Sequence, residues 1–163
     1  MTGPDHPPDG PPASSGDSAP RVAAWLGYGG LIPFVGSLAL CYFGDPGAQR
    51  LGIHAMATYA AVILSFIGGI HWGIATQVRG RQTVAWYVAS IMPSLIGWAA
   101  LLLTPPATLG ILLLCFTGWY VYERSMPIGQ TFPAWFVRLR LHLTSGAVAA
   151  LVLGWLRTLS VPA

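Results

Sequence analysis

The order of apolar and polar positions divides the chain into five long apolar stretches separated by short polar breaks. Each stretch is close to the roughly 20 residues that a helix needs to cross a hydrocarbon core about 30 Å thick. A helix satisfies its own backbone hydrogen bonds in lipid, and the alternating pattern of a barrel strand does not appear. The pattern therefore predicts an all-α integral membrane bundle of five transmembrane helices, at residues 21–43, 51–77, 83–103, 106–123 and 134–156.

Residues 1–20 have a different composition from the rest of the chain. They contain six Pro, three Gly, three Asp and three Ser. Such a segment buries too little apolar surface to offset the entropy lost on ordering, so we expect a disordered N-terminal tail before a transmembrane domain at 21–163. Because a Pro-rich segment is already extended, the tail is suited to docking in a groove on a partner protein, with its Asp residues facing Arg or Lys.

The overall composition supports the membrane prediction and points to a bacterial chain. Apolar residues make up 54% of the sequence and charged residues only 8%, against about a quarter in an ordinary soluble domain. All eight basic residues are Arg, a bias typical of GC-rich bacterial genomes. The sequence pI near 9.2 invites a nucleic-acid interpretation. However, the Arg residues form no basic run, so we expect a bilayer and no nucleic acid as partner.

The distribution of arginine between the two sides of the membrane predicts the orientation. The N-terminal segment and the second and fourth loops contain six Arg, whereas the other side has only Arg50 and Arg157. Cytoplasmic loops carry the excess of positive charge. We therefore expect a bacterial inner-membrane protein with its N-terminus in the cytoplasm and its C-terminus in the periplasm. The six are Arg21, Arg79, Arg81, Arg124, Arg138 and Arg140.

Small residues recur every four positions in the second predicted helix: Ala57, Ala61, Ser65, Gly69 and Gly73. Small side chains at this spacing form a groove that lets another helix backbone approach closely. The second helix is therefore predicted to pack tightly through this groove. The partner could be a helix of this chain, which we favour, or of a neighbouring protein.

Two histidines are predicted to lie at similar depth in different helices. His71 is six residues from the cytoplasmic end of the second helix and His142 eight residues from that of the fifth, which places both about 9–12 Å into the membrane. Such a pair could ligate haem or form part of a proton path. Hydrogen bonding of each ring to a neighbouring backbone, Ser or Tyr is the favoured interpretation, so no cofactor and no metal are expected.

A charged cluster is predicted at the cytoplasmic end of the fourth and fifth helices. Glu123 ends one helix, and Arg138 and Arg140 begin the next. These residues, with His142, could bind an anionic headgroup or a quinone. The favoured alternative is a structural ion pair between Glu123 and Arg138, because paired charge at a membrane edge costs less than isolated charge.

Three segments resemble a known family. They are Gly27–Phe34, Tyr59–Gly73, which includes the sequence Gly-Ile-His-Trp-Gly, and Met92–Leu95. The sequence resembles the transmembrane-protein-69-like family, an uncharacterised group of proteobacteria and mitochondria, over about residues 21–157. This resemblance implies a small inner-membrane protein with several helices. It implies no activity and no catalytic residues.

The sequence contains no nucleophile–base pair, phosphate loop, metal-ligand set or carboxylate pair, so we do not expect an enzyme. The small body and the groove favour a non-catalytic accessory or assembly subunit of a larger energy-transducing membrane complex. Two alternatives stay open. One is a small oligomeric transporter or channel, and the other is a membrane protein that binds haem, quinone or lipid.

The predicted orientation can be tested with a reporter that is active only in the periplasm. We expect activity when the reporter follows Ala163 and silence when it is inserted near residue 10. The opposite pattern would overturn both the orientation and the cytoplasmic placement of the charged cluster.

Overall fold

The computed structural model describes residues 18–77, 83–125 and 132–160. Five segments of this part of the chain are long and apolar enough to cross a membrane, the first being Pro20–Phe43. The predicted all-α membrane bundle is therefore confirmed. In these ranges the helices are α1 (Ser18–Gly29), α2 (Ile32–Phe43), α3 (Pro46–Ala75), α4 (Thr83–Ala100), α5 (Pro105–Ser125) and α6 (Ala134–Ser160).

Most of the predicted N-terminal tail lies outside the described residues. Helix α1 begins at Ser18, slightly before the predicted boundary between tail and transmembrane domain. The docking of the tail to a partner protein stays a prediction.

The first transmembrane span is broken into two helices. The N–H of Gly30 donates to the carbonyls of Leu26 and Gly27 at 3.0 Å, and this turn ends α1. Pro33 then lies in the first turn of α2, where its missing N–H costs no helical hydrogen bond. The Tyr59 hydroxyl donates to the Gly30 carbonyl at 2.8 Å and so satisfies an acceptor exposed by the break.

Helix α3 is the central element and contacts α2, α4, α5 and α6. It begins where the Asp45 carboxylate accepts from the Ala48 N–H at 2.8 Å, followed directly by Pro46. Met56 and Leu64 lie on its fully buried side. The helix has 30 residues and is about 45 Å long, so it must tilt in the bilayer or extend beyond the hydrocarbon.

The first half of the predicted small-residue groove coincides with a helix contact. Ala57 and Ala61 are both buried. A Cβ built on Gly97 of α4 would lie 3.3 Å from the Cα and Cβ of Ala61, so the two helices approach closely at this point.

At Gly69 and Gly73 the groove does not coincide with a contact among the described residues. Ser65, Gly69 and Gly73 are exposed, but Oγ of Ser65 still accepts a hydrogen bond from Ser94 of α4 at 3.1 Å. A Cβ built on either glycine would meet no neighbouring helix atom within 4 Å among the described residues. The favoured expectation that this groove packs within the chain is therefore wrong at Gly69 and Gly73.

Helix geometry explains this difference. Each four-residue step advances about 400° around an α-helix, so a strict four-residue pattern drifts by about 40° per step. From Ala57 to Gly73 the drift reaches about 160°, which moves the pattern off the interface. Gly68 faces α4 instead, and a Cβ there would clash with the backbone carbonyl of Ser90.

Polar contacts join α2 to α6 at the end of the bundle opposite His71. The Arg157 guanidinium donates from Nε to the Cys41 carbonyl at 3.1 Å and from Nη2 to Gln49 Oε1 at 3.3 Å. Tyr42 donates to the Leu153 carbonyl at 3.0 Å. The bonds of Cys41 and Tyr42 hold the second half of the broken span against α6, and the bond to Gln49 joins α3 to α6.

The close contact of α3 with α4 gives a stability prediction. We expect Gly68→Ala to destabilise the protein by about 1–3 kcal/mol, because the new methyl group meets a backbone carbonyl that cannot rotate away. The matched control is Gly69→Ala, which should be neutral or slightly stabilising since alanine favours helix more than glycine does. Thermal unfolding in detergent measures both. Equal melting temperatures for the two variants would contradict the contact.

Candidate functional site

An ion pair joins α5 to α6 inside the bundle. Nη2 of Arg140 donates to the two carboxylate oxygens of Glu123 at 2.6 and 2.8 Å. The two side chains are only 15% and 13% exposed, so this pair is largely screened from the surroundings. Charge-assisted hydrogen bonds of this length are among the strongest in proteins.

The predicted partner of Glu123, Arg138, is wrong. Residues 138 and 140 are about 200° apart on a helix and point to opposite sides. Arg140 follows Phe136 by one turn on the side of α6 that faces the bundle, whereas Arg138 is exposed. The signal that could have identified Arg140 is the inward spacing of Phe136, Leu143 and Ala147 around it.

His71 joins the same ion pair from α3. Its Nε2 lies 3.8 Å from Oε1 of Glu123, and its side chain is 6% exposed. Its Nδ1 lies 3.2 Å from the Ile67 carbonyl. The ring packs edge-on against Trp119, with ring centroids 5.1 Å apart. The charged cluster therefore consists of His71, Glu123 and Arg140, on three different helices.

His142 is not part of this cluster. It is exposed on α6, and its Nδ1 lies 3.0 Å from the hydroxyl of Tyr28 on α1. His71 and His142 contact different neighbours, so the structure does not bring the two rings together; their similar depth in the membrane stays a prediction. The bond from His142 to Tyr28 instead attaches α1 to α6, as the favoured structural interpretation of this histidine anticipates.

A large cavity lies between the broken first span and α3, α5 and α6. This main cavity has a volume of about 380 Å³, and Arg140 and Thr144 are the two polar side chains in its lining. On α6 the lining extends from Phe136 to Ala147, which corresponds to about 16 Å along the helix. The apolar lining comes mainly from Leu26, Phe34, Ile63, Ile67, Phe116, Leu139 and Leu143.

A smaller cavity of about 30 Å³ adjoins the charged cluster. It has room for about two water-sized groups, since one needs roughly 10–15 Å³. Ile70, Phe136 and Arg140 line both cavities. We call this smaller cavity the polar annex; its lining is Ile70, Tyr120, Glu123, Arg124, Phe132, Phe136, Val137 and Arg140.

Helix α1 covers part of the main cavity and has few other contacts. It packs on α6 at Gly27, where a Cβ would lie 2.9 Å from Cδ1 of Leu143. Trp25 and Leu26 are 81% and 73% exposed. A short helix held mainly at one edge leaves the volume beneath it unfilled.

The sequence pattern did not reveal Trp119 or either cavity. The ring of Trp119 reaches His71, and its Nε1 is buried without a hydrogen-bond partner among the described residues. Nε2 of His71 is likewise buried without a hydrogen-bond partner in this part of the chain.

Comparison with known proteins places the chain in an uncharacterised group. It is 34% identical to transmembrane protein 69 of Xenopus tropicalis over 141 residues, 82% of this chain and 53% of that protein. With the mouse protein of that name (Mus musculus) it is 27% identical over 136 residues, 82% of this chain and 55% of that protein. The chain thus spans about half the length of these relatives. The predicted resemblance is confirmed.

A shorter similarity links the chain to protoheme IX farnesyltransferase 1 of Bacillus cytotoxicus, with 33% identity over 110 residues, 63% of this chain and 31% of that protein. No solved structure matches. The family model described as "protein of unknown function (DUF3429)" matches residues 19–156. Because this match covers most of the sequence, the chain belongs to the DUF3429 family of membrane proteins.

Proposed function

We propose that this protein binds one amphiphilic molecule within the membrane, acting as a binding protein and not as an enzyme. The tail would occupy the main cavity, and the head would lie in the polar annex. The observation that supports this most directly is that the two cavities share Ile70, Phe136 and Arg140. An apolar channel and a charged end are thereby adjacent, as an amphiphile requires.

The size of the main cavity is suited to one alkyl or isoprenoid chain. Ligand pockets usually have volumes of about 300–1,000 Å³, with mostly apolar linings and a few polar groups that fix orientation. The main cavity, at about 380 Å³, is at the small end of this range. Its length of about 16 Å along α6 fits an extended chain better than a compact ligand.

Arg140 retains hydrogen-bond donors for a head group. Only its Nη2 bonds to Glu123. Nε and Nη1 donate to no acceptor in the described part of the chain, and Arg140 lines both cavities. A guanidinium has five donor hydrogens in a rigid planar arrangement, so an oxygen-bearing head could bind without breaking the ion pair.

In the proposed orientation the polar annex is near the cytoplasmic surface of a bacterial inner membrane. The arginine asymmetry supports this placement. The head of the amphiphile would then be at the cytoplasmic side, and the tail would extend toward the centre of the bilayer.

A second candidate function is an accessory or assembly subunit of a larger energy-transducing membrane complex. The specific observation in its favour is the exposed half of the small-residue groove. Gly69 and Gly73 have no neighbouring helix atom within 4 Å in the described residues, which leaves space for a helix of another protein to approach closely.

The amphiphile proposal can be tested by photolabelling. The purified protein in phosphatidylcholine nanodiscs is treated with a single-chain probe that has a neutral amide head and a diazirine in mid-chain. We expect labelling of α1 and α6 residues around Leu26 and Leu143, and competition by unlabelled dodecanol. Labelling spread over lipid-facing residues without competition would overturn the proposal.

Substitutions that fill the main cavity sharpen this test. Ile63→Trp should weaken binding roughly fifty-fold, because losing space for three methylene groups costs about 2.4 kcal/mol. Val62→Trp is the matched control, since Val62 directly precedes Ile63 on α3 and is 57% exposed outside the cavity. Leu143→Trp with Leu141→Trp as its control repeats the comparison from α6, where Leu141 is exposed.

The accessory-subunit candidate predicts a different result. Gly69→Ile should leave the isolated protein as stable as wild type, because no neighbouring helix atom lies near that position within the described chain. It should reduce co-purification of membrane partners in gentle detergent, because a branched side chain blocks close approach. Val62→Ile, at an exposed position of the same helix outside the main cavity, serves as control. Unchanged co-purification with Gly69→Ile would refute this role for the groove.

A further inference from the structure

We infer that the site selects an amphiphile with an anionic head and takes up one proton between His71 and Glu123 when that head binds. This inference rests on the proposed function, because it specifies the ligand class of the same site. Two independent features support it: the charge of the polar annex and the hydrogen-bond geometry of His71.

The charge of the polar annex favours an anion. Arg124 and Arg140 both line it, and Glu123 is the one acidic side chain in its lining. The formal charge of these three groups is positive. Nε and Nη1 of Arg140 donate no hydrogen bond to any described residue. An anionic head would neutralise the excess charge and accept these hydrogen bonds, which suits the low-dielectric setting of a membrane protein.

The geometry of His71 favours a proton between its ring and Glu123. A carbonyl oxygen only accepts hydrogen bonds, so the contact of 3.2 Å with the Ile67 carbonyl requires the proton on Nδ1. In a neutral ring Nε2 is then a bare acceptor. It lies 3.8 Å from Oε1 of Glu123, so two acceptors would face each other. A proton on either atom converts this unfavourable contact into an attractive one.

The groups that face this proton come from two helices. Glu123 of α5 and Arg140 of α6 are the charged side chains of the described residues within ion-pair distance of the cluster. Helices α2 and α4 contain no charged residue within their described ranges. Tyr122 packs on Trp119, and Tyr87 packs on Trp72. The balance of charge at the proton is therefore set by the carboxylate and the guanidinium.

Binding of the proton and of the anion should consequently strengthen each other. Without the added proton, Glu123 and Arg140 cancel and the charged cluster is neutral. With it, the cluster has one positive charge that is costly inside a membrane unless an anion neutralises it. An anionic head supplies the neutralising negative charge. By thermodynamic reciprocity, the bound head raises the affinity of the cluster for the proton by the same factor as the proton raises the affinity of the cluster for the head.

The experiment compares two competitors of the photoreactive probe in phosphatidylcholine nanodiscs. Dodecanesulfonate stays anionic at every pH used, and dodecanol is neutral. We expect the affinity for the sulfonate to fall as pH rises from roughly 5.5 to 8.5, with a limiting slope of about tenfold per pH unit for one proton. Dodecanol competition should not change. A sulfonate affinity independent of pH would overturn the inference.

Two substitutions test whether the proton is held between His71 and Glu123. At high pH the Glu123→Gln variant should bind the sulfonate at least tenfold more tightly than wild type, because no carboxylate then neutralises Arg140. Its affinity for the sulfonate should depend little on pH. His71→Gln should keep the weak high-pH affinity at every pH. Probe labelling around Leu26 and Leu143 in each variant shows whether the main cavity is retained, because these two residues lie outside the polar annex. If Glu123→Gln retains the wild-type pH slope, the proton is not held at this pair.

The outcomes distinguish this inference from the function on which it rests. Probe labelling of the main cavity with a flat pH profile would leave amphiphile binding standing and reject the coupled proton. Absence of labelling would reject both. Replacing part of the phosphatidylcholine by phosphatidylglycerol identifies the source of the anion: displacement of the probe assigns a phospholipid head, and its retention assigns a free single-chain anion.

Discussion

A carboxylate inside a membrane bundle has to be neutralised, and the rest of this site depends on how Glu123 achieves that. Arg140 donates to both of its oxygens, which joins the end of α5 to the start of α6. Removing one partner of such a buried pair leaves an uncompensated charge, which costs far more than the net contribution of the pair itself. The pair also determines which way Arg140 points, and therefore where the main cavity meets the polar annex.

Helix α3 contributes to both packing and the candidate site through the same face. Leu64 and Ile67 are buried there, and His71 follows them one turn later against Trp119 and Glu123. The contact of Gly68 with the Ser90 carbonyl determines how closely α4 approaches the same helix. A change in this contact would shift His71 relative to the ion pair, so stability and site geometry are coupled.

The main cavity exists because the first span does not continue as one straight helix. The turn at Gly30, held by the Tyr59 hydroxyl, allows α2 to pack on α3 while α1 contacts α6. The space between them is lined by apolar residues of five helices, α1, α2, α3, α5 and α6. The same turn thus leaves space for a ligand tail beside a charged pair, although Gly30 itself is distant in sequence from Glu123 and Arg140.

Much of the architecture was predictable from local patterns. The lengths of the apolar stretches were sufficient for the five spans, because backbone hydrogen bonding in lipid allows few alternatives to a helix. The buried face of α3 that contains His71 was predictable in part, since Leu64 and Ile67 share that face at helical spacing. The four-residue pattern from Ala57 to Gly73 was misleading because a small drift per turn accumulates along a long helix.

The sequence by itself therefore determined the membrane class, the helical segments and the residue types available for a polar site, because hydropathy and helix geometry act over neighbouring residues. Only the tertiary structure decided that Arg140 and not Arg138 pairs with Glu123, that His71 and not His142 joins them, and that a cavity ends at this cluster. Those choices depend on the rotation of each helix about its axis. Packing against other helices sets that rotation, and residues far apart in the chain supply the contacts.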